Sequence, residues 1–194
     1  MNKIDVQSQH LQNKYQTNIS TLSTTFYANS DQKEKEITWV NGERNGLYKV
    51  WYESGDIKQE AYFTNDVLNG AATSFYPSGS KIIEDTWVNG KRNGLSIEWY
   101  ESGQKEKEAS YKKDKLEGLY ITWYENGQKK QEVNYKNGHK EGLSIGWHEN
   151  GQKRSEVNYK NGNKEGLNII WDENGQKREE ANFKNDKLEW YKKY

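Results

Sequence analysis

Cysteine is absent from the 194 residues, so neither a disulfide framework nor a thiolate metal site is available, and the redox compartment stays open. No apolar run approaches the roughly 18 residues that a bilayer-spanning helix needs. The N-terminal stretch MNKIDVQSQHLQNKYQ also lacks the apolar core of a signal peptide. A soluble, cytoplasmic protein without an integral membrane segment is the expectation. Charge of one sign is missing too. The 29 basic residues balance 29 acidic ones, which removes the simplest electrostatic case for a nucleic acid or an anionic membrane surface. Histidine is scarce: His10, His139 and His148 have no metal-ligand spacing, no nucleophile and no orienting carboxylate. Every glycine is accounted for by a turn, so no phosphate-cradling loop appears. Neither a cofactor, a metal nor an enzymatic activity is expected.

Apolar residues are few, at 31% of the chain, a level at which disorder has to be considered. Two features oppose it. Disordered chains usually combine low hydrophobicity with strong net charge, which is lacking here. The chain also carries 8 Trp and 14 Tyr, and the large rings recur in register.

That register has a period of 24 residues, visible in WYENGQKKQEVNYKNGHKEGLSIG followed at once by WHENGQKRSEVNYKNGNKEGLNII. With Trp51 as position 1, that position holds Tyr27, Trp51, Phe75, Trp99, Trp123, Trp147 and Trp171. Position 13 holds Trp39, Phe63, Trp87, Tyr111, Tyr135, Tyr159 and Phe183. Glycine recurs at position 5 from Gly55 to Gly175, and at position 20 from Gly46 to Gly166. Seven units fill 27–194, the first and last irregular.

Each unit reads as a β-hairpin. In GLYITWY, Leu119, Ile121 and Trp123 alternate with Tyr120, Thr122 and Tyr124, the period of two that a strand shows. Glycine and Asn-Gly pairs recur too often to leave room for an amphipathic helix. A three-residue loop, Glu125-Asn126-Gly127, pairs position 1 with position 7 and position 23 with position 9. It would place Leu119, Ile121 and Trp123 on the face of Val133 and Tyr135. Such a loop is a type I turn closed by a glycine bulge. The single proline, Pro77 in YPSGS, falls at its first position, where a fixed φ suits that turn. The predicted fold is all-β: an elongated, curved, single-layer antiparallel sheet of tandem hairpins. About fourteen strands at about 4.8 Å would make a ribbon roughly 60–70 Å long. Ala71, Ala72, Thr73 and Asp85 depart from the repeat, so irregular packing is expected between about 61 and 90.

Residues 1–26 stand outside the repeat as a leader. Ile4, Leu11, Tyr15, Ile19 and Leu22 would share one side of a helix, whereas the wealth of Gln, Asn, Ser and Thr would suit a frayed segment.

The combination W-Y-E-N-G-Q-K, then Y-K-N-G and E-G-L, resembles the MORN repeat variant, and a chain built of such units is similar to the bacterial YwqK-type family of antitoxins. The resemblance covers about 27–191 and is densest from 99 to 183. It implies a curved sheet of hairpins used for protein contacts, here as an antitoxin or immunity protein against a toxin or effector.

Glutamate occupies position 10 of every unit, from Glu36 to Glu180. Neighbouring copies would lie about 10 Å apart, too far to chelate one cation, so they read as solvated partners of nearby lysines. Lys129, Lys153 and Lys177 at position 7 would flank and shield the Trp rings. The aromatic rings are the candidate site: Trp99, Tyr111, Trp123, Tyr135, Trp147, Tyr159 and Trp171 as anchors for a helix or extended peptide of a protein partner. The alternative is an aromatic array that holds choline, carbohydrate or lipid head groups at a cell surface, which needs at least three rings from adjoining hairpins.

Overall fold

The computed structural model describes residues 19–194. Its strands are β1 (Ser20–Phe26), β2 (Lys33–Val40), β3 (Glu43–Trp51), β4 (Ile57–Thr64), β5 (Val67–Phe75), β6 (Lys81–Val88), β7 (Lys91–Trp99) and β8 (Lys105–Lys112). They continue with β9 (Lys115–Trp123), β10 (Lys129–Lys136), β11 (His139–Trp147), β12 (Lys153–Lys160), β13 (Asn163–Lys164), β14 (Gly166–Trp171), β15 (Lys177–Lys184) and β16 (Lys187–Lys193). All belong to one open antiparallel sheet in which sequential strands are neighbours; the short β13 and β14 are two pieces of one strand against β12. No helix occurs among the described residues. The helix considered for the leader does not extend through Leu22: Ser20–Phe26 is extended and pairs with β2, Leu22 facing Thr38. Ile4, Leu11 and Tyr15 lie outside the described residues.

Two kinds of turn alternate along the ribbon. Between the strands of a unit, the Gly127 N–H donates to the Tyr124 carbonyl at 2.9 Å, and the Tyr124 N–H donates to the Gln128 carbonyl at 2.9 Å. This is the three-residue loop expected, with Gly127 supplying φ 83°. Trp123 accordingly pairs with Lys129. Between units the connection is a two-residue turn with both residues left-handed, such as Asn137 (φ 51°) and Gly138 (φ 85°). These are type I′ values, whose twist matches that of the flanking strands. Lys113-Asp114 makes the same turn without glycine, and there the Asp114 carboxylate accepts the Arg92 N–H at 2.8 Å.

One expectation about the strands fails, and it governs the rest. Beyond Trp123↔Lys129, the next partner of Thr122 is Gln131, so Lys130 is an extra residue bulged out of the ladder. Ile121 therefore faces Glu132 instead of Gln131, and Val133 faces Tyr120. One inserted residue exchanges the two faces for everything beyond it. The same bulge follows position 7 in every unit from Trp51↔Ile57 to Trp171↔Lys177.

Leu119, Ile121 and Trp123 thus share a face with Lys129 and Glu132, termed the tryptophan face. Tyr120, Val133 and Tyr135 occupy the opposite one, termed the groove face. The floor of the groove face is a row of small or medium side chains from positions 11 and 22. Ala61, Asp85, Ser96, Ala109, Val133, Ser144 and Asn168 are buried along it. Burial on a single-layer sheet requires side chains of adjoining strands to lean over these residues; on the tryptophan face Ile121 is buried in the same way. Covering a Val such as Val133 stabilises by roughly 1.5–3 kcal/mol. At 61–90 the strand register is regular, Ala61↔Ala72, Ala72↔Asp85 and Asp85↔Ser96 following that of the other units, whereas the packing leaves Asp85 and Trp87 with buried unpaired polar atoms.

Because contacts run between neighbouring strands, deletion of 123–146 should leave a shorter folded sheet with one cooperative urea transition. Far-UV circular dichroism of that variant showing loss of the β signal would contradict nearest-neighbour stacking.

Candidate binding faces

The tryptophan face is a ladder of cations and rings. Lys33, Lys81, Lys105, Lys129 and Lys153 place their ammonium groups 5.4, 5.3, 5.8, 5.7 and 5.9 Å from the ring centres of Trp51, Trp99, Trp123, Trp147 and Trp171 in the following units. Each of these lysines also pairs with the glutamate three residues on: Lys105 with Glu108 and Lys129 with Glu132 at 2.6 Å. A separation of three would put the two side chains on opposite faces of a regular strand, and the bulge between them is what lets them meet. The glutamates that follow a position-7 lysine are thus tied to their own unit, whereas Glu60, preceded by Ile57, pairs with Lys49 of the unit before. Such pairs are solvent-exposed and individually weak. Beside them runs a stripe of leucines, Leu95, Leu119, Leu143 and Leu167, each 41–43% exposed.

The groove face carries the other ring row near the type I′ turns. Arg44 and Arg92 lie over Phe63 and Tyr111 at 4.3 Å, and Lys140 and Lys164 lie over Tyr159 and Phe183 at 4.9 Å. Tyr135 instead meets Tyr120 edge-on at 5.7 Å. Opposite each of these rings in the hairpin stands a position-20 glycine, Gly118 for Tyr135. Toward β16 the groove deepens into a cavity of about 250 Å³ between Val157, Ala181, Phe183, Leu188 and Tyr191.

The seven rings singled out in the sequence are therefore divided. Trp99, Trp123, Trp147 and Trp171 line up on one side, and Tyr111, Tyr135 and Tyr159 on the other, which corrects the expectation of one shared surface. The slip comes from the bulge at Lys130. A signal was present in the Lys-x-x-Glu spacing, which only a face-changing residue makes useful. Sequence reasoning marked Asp85 only as a departure from the repeat, the one charged residue at position 11, where other units carry Ile37, Ala61, Ala109, Val133, Val157 and Ala181.

At the loop edge, tyrosines join successive units. The hydroxyl of Tyr52 donates to the Phe75 carbonyl at 2.7 Å, that of Tyr100 to Trp123 at 2.9 Å and that of Tyr124 to Trp147 at 2.8 Å. His148 replaces tyrosine and meets the Trp171 carbonyl through Nε2 at 3.0 Å, and since a carbonyl only accepts, Nε2 carries the proton. Its role is structural. Asp172 ends the series by turning inward, where its carboxylate accepts the N–H groups of Asn174 and Gln176. Among the described residues no cluster of three or more His, Cys, Asp or Glu is placed to hold a metal ion.

Burial pushes the phenols of Tyr100, Tyr120, Tyr135 and Tyr159 above the ordinary 10.0. Lys107 shows the opposing influences clearly. Desolvation works against its charge, yet the hydrogen bond and attraction of Glu98 prevail and raise it.

Two predictions follow from these contacts. A phenol whose folded pKa exceeds its unfolded value adds stability below the unfolded pKa and loses it as pH rises through the folded one. Tyrosinate absorbance at 295 nm should therefore lag for these four residues in the folded protein, and the denaturation midpoint should fall above pH 10.0. Tyr124→Phe, which deletes one inter-unit hydroxyl, should cost about 0.5–1.5 kcal/mol in urea denaturation; no loss would show that the link to Trp147 is idle.

No curated protein matches this chain. The family model of the MORN repeat variant matches five segments, 44–65, 92–113, 116–137, 140–161 and 164–185, together more than half of its length. Each segment begins on the strand after a type I′ turn and ends in the next such turn, so the family unit is the same hairpin with its boundary drawn at the opposite edge of the sheet. By its repeated hairpins and by these matches, the chain belongs to the MORN repeat variant family.

Proposed function

We propose that the protein is a non-enzymatic scaffold that binds a protein partner in its groove, with Tyr111, Tyr135, Tyr159 and Phe183 as anchors. The observation that carries this reading is the apolar cavity of about 250 Å³ that continues the ring row between Phe183, Leu188 and Tyr191. A helix or extended peptide laid along the ribbon would find a ring at every second strand, about 10 Å apart. Trp99, Trp123, Trp147 and Trp171 are read instead as part of the scaffold, because each lysine over them is itself fixed by an ion pair with the glutamate three residues on. Those lysines also take the place that a choline ammonium would need over each indole, which disfavours the head-group array. The resemblance to YwqK-type proteins supplies the class of partner: a toxin or effector met in the cytoplasm, whose action the scaffold would block.

The test is affinity capture followed by quantitative binding of the captured protein to paired variants. Tyr135→Ala with Tyr159→Ala should weaken binding about 30-fold or more, as loss of anchor residues does. Leu119→Lys with Leu143→Lys on the opposite face should leave affinity unchanged. The reverse ranking would move the site to the tryptophan face. Co-expression should also suppress any toxicity of the captured protein, and failure to do so would remove the antitoxin role while leaving the scaffold.

A further inference from the structure

The groove contains one place where the sheet leaves polar groups unsatisfied. Asp85 is 8% exposed and its Oδ1 has no hydrogen-bond partner. Directly opposite on β7 stands Ser96, 1% exposed, whose hydroxyl also has none. Two residues along β6, on the same face, the Trp87 indole N–H is buried and unpaired as well. These three are the buried side-chain polar atoms without a partner among the described residues, and they are adjacent.

Nothing in the repeat requires a carboxylate at this position, since other units place an alkyl side chain there. A desolvated carboxylate without a counter-charge is costly, so it weakens the free protein unless a ligand completes it. Basic groups on adjoining strands are engaged elsewhere: Lys107 with Glu98, and Arg92 over Tyr111. Among the described residues no cation lies over the Trp87 ring, whereas Phe63 and Tyr111 on either side each carry a guanidinium. The neighbours of this place on the floor are the small residues Ala72 and Ala109.

We infer that Asp85, Trp87 and Ser96 form a receptor for an arginine side chain presented by the protein partner. This rests on the groove reading given above. A planar guanidinium can donate two parallel hydrogen bonds to the Asp85 carboxylate and one to the Ser96 hydroxyl while stacking on the indole. The Trp87 N–H is left to donate to a main-chain carbonyl of the same segment. An ammonium lacks the planar fork and would satisfy fewer of these groups, so arginine is favoured over lysine.

The experiment uses the full chain labelled with ¹⁵N and the peptides Ac-Gly-Arg-Gly-NH₂ and Ac-Gly-Gln-Gly-NH₂ as probes. The Trp87 indole resonance is identified by its loss in Trp87→Phe. It should shift saturably with the arginine peptide and not with the glutamine peptide, and Asp85→Asn should weaken that response about tenfold or more. Asp85→Ala should abolish the response while raising the urea midpoint, because the alkyl side chain of the other units suits the floor. An unmoved resonance would mean that the three groups hold only water, and a destabilised Asp85→Ala would mark the carboxylate as structural; either overturns the proposal. If Asp85→Asn binds the captured partner normally while Tyr135→Ala with Tyr159→Ala does not, the arginine receptor falls and the groove reading stands.

Discussion

A residue bulged out of a hairpin leaves the main-chain ladder on either side of it paired, yet it reverses which way every later side chain points. Here that residue recurs after position 7 of each unit, as Lys130 does between Lys129 and Gln131. Its effects reach across the molecule. It brings Lys129 and Glu132 together, places Val133 opposite Tyr120, and sends the tryptophans and the position-13 rings to opposite sides. Repetition at one place in every unit also gives each of these hairpins the same added twist.

The two sides differ in how completely they are satisfied. On the tryptophan face each Lys lies over the Trp of the next unit and holds the Glu of its own, so the contacts that define one unit also fasten the following one. The tyrosine hydroxyls do the same through the main chain at the loop edge. The groove is less complete. Its cation-covered rings are interrupted at Trp87 and Tyr135, its floor contains a carboxylate without a counter-charge, and it opens into an apolar cavity near β16. Surfaces that carry such deficits are where association has most to gain, because a partner supplies what the fold withholds.

Much of this was legible in the letters. The 24-residue period, the alternation in GLYITWY, the glycine of the three-residue loop and the lysine shield over the rings all follow from local chemistry, and the structure contains each. The side of the sheet was not legible, because a bulge costs one residue of no fixed type, and Lys58, Ile82, Glu106, Lys130 and Arg154 at that position share no backbone signature. The turns between units were hidden for a related reason. Asn137-Gly138 advertises a type I′ turn, whereas Lys113-Asp114 adopts it with Asp114 capping the Arg92 amide. Ser20–Phe26 became a strand through pairing with β2, a long-range gain that its composition does not announce. Asp85 looked like a flaw in an apolar column; the register treats it as a normal member, and its oddity lies in lacking a partner.

The Lys-to-Trp step from one unit to the next recurs at five junctions, interrupted once where Ile57 and Phe75 stand at these positions. A gene encoding such junctions tolerates unequal recombination, since whole modules can be gained or lost without creating a mismatched seam. Each event would lengthen or shorten the sheet by about 10 Å, two strand spacings, and so reset its reach in fixed increments.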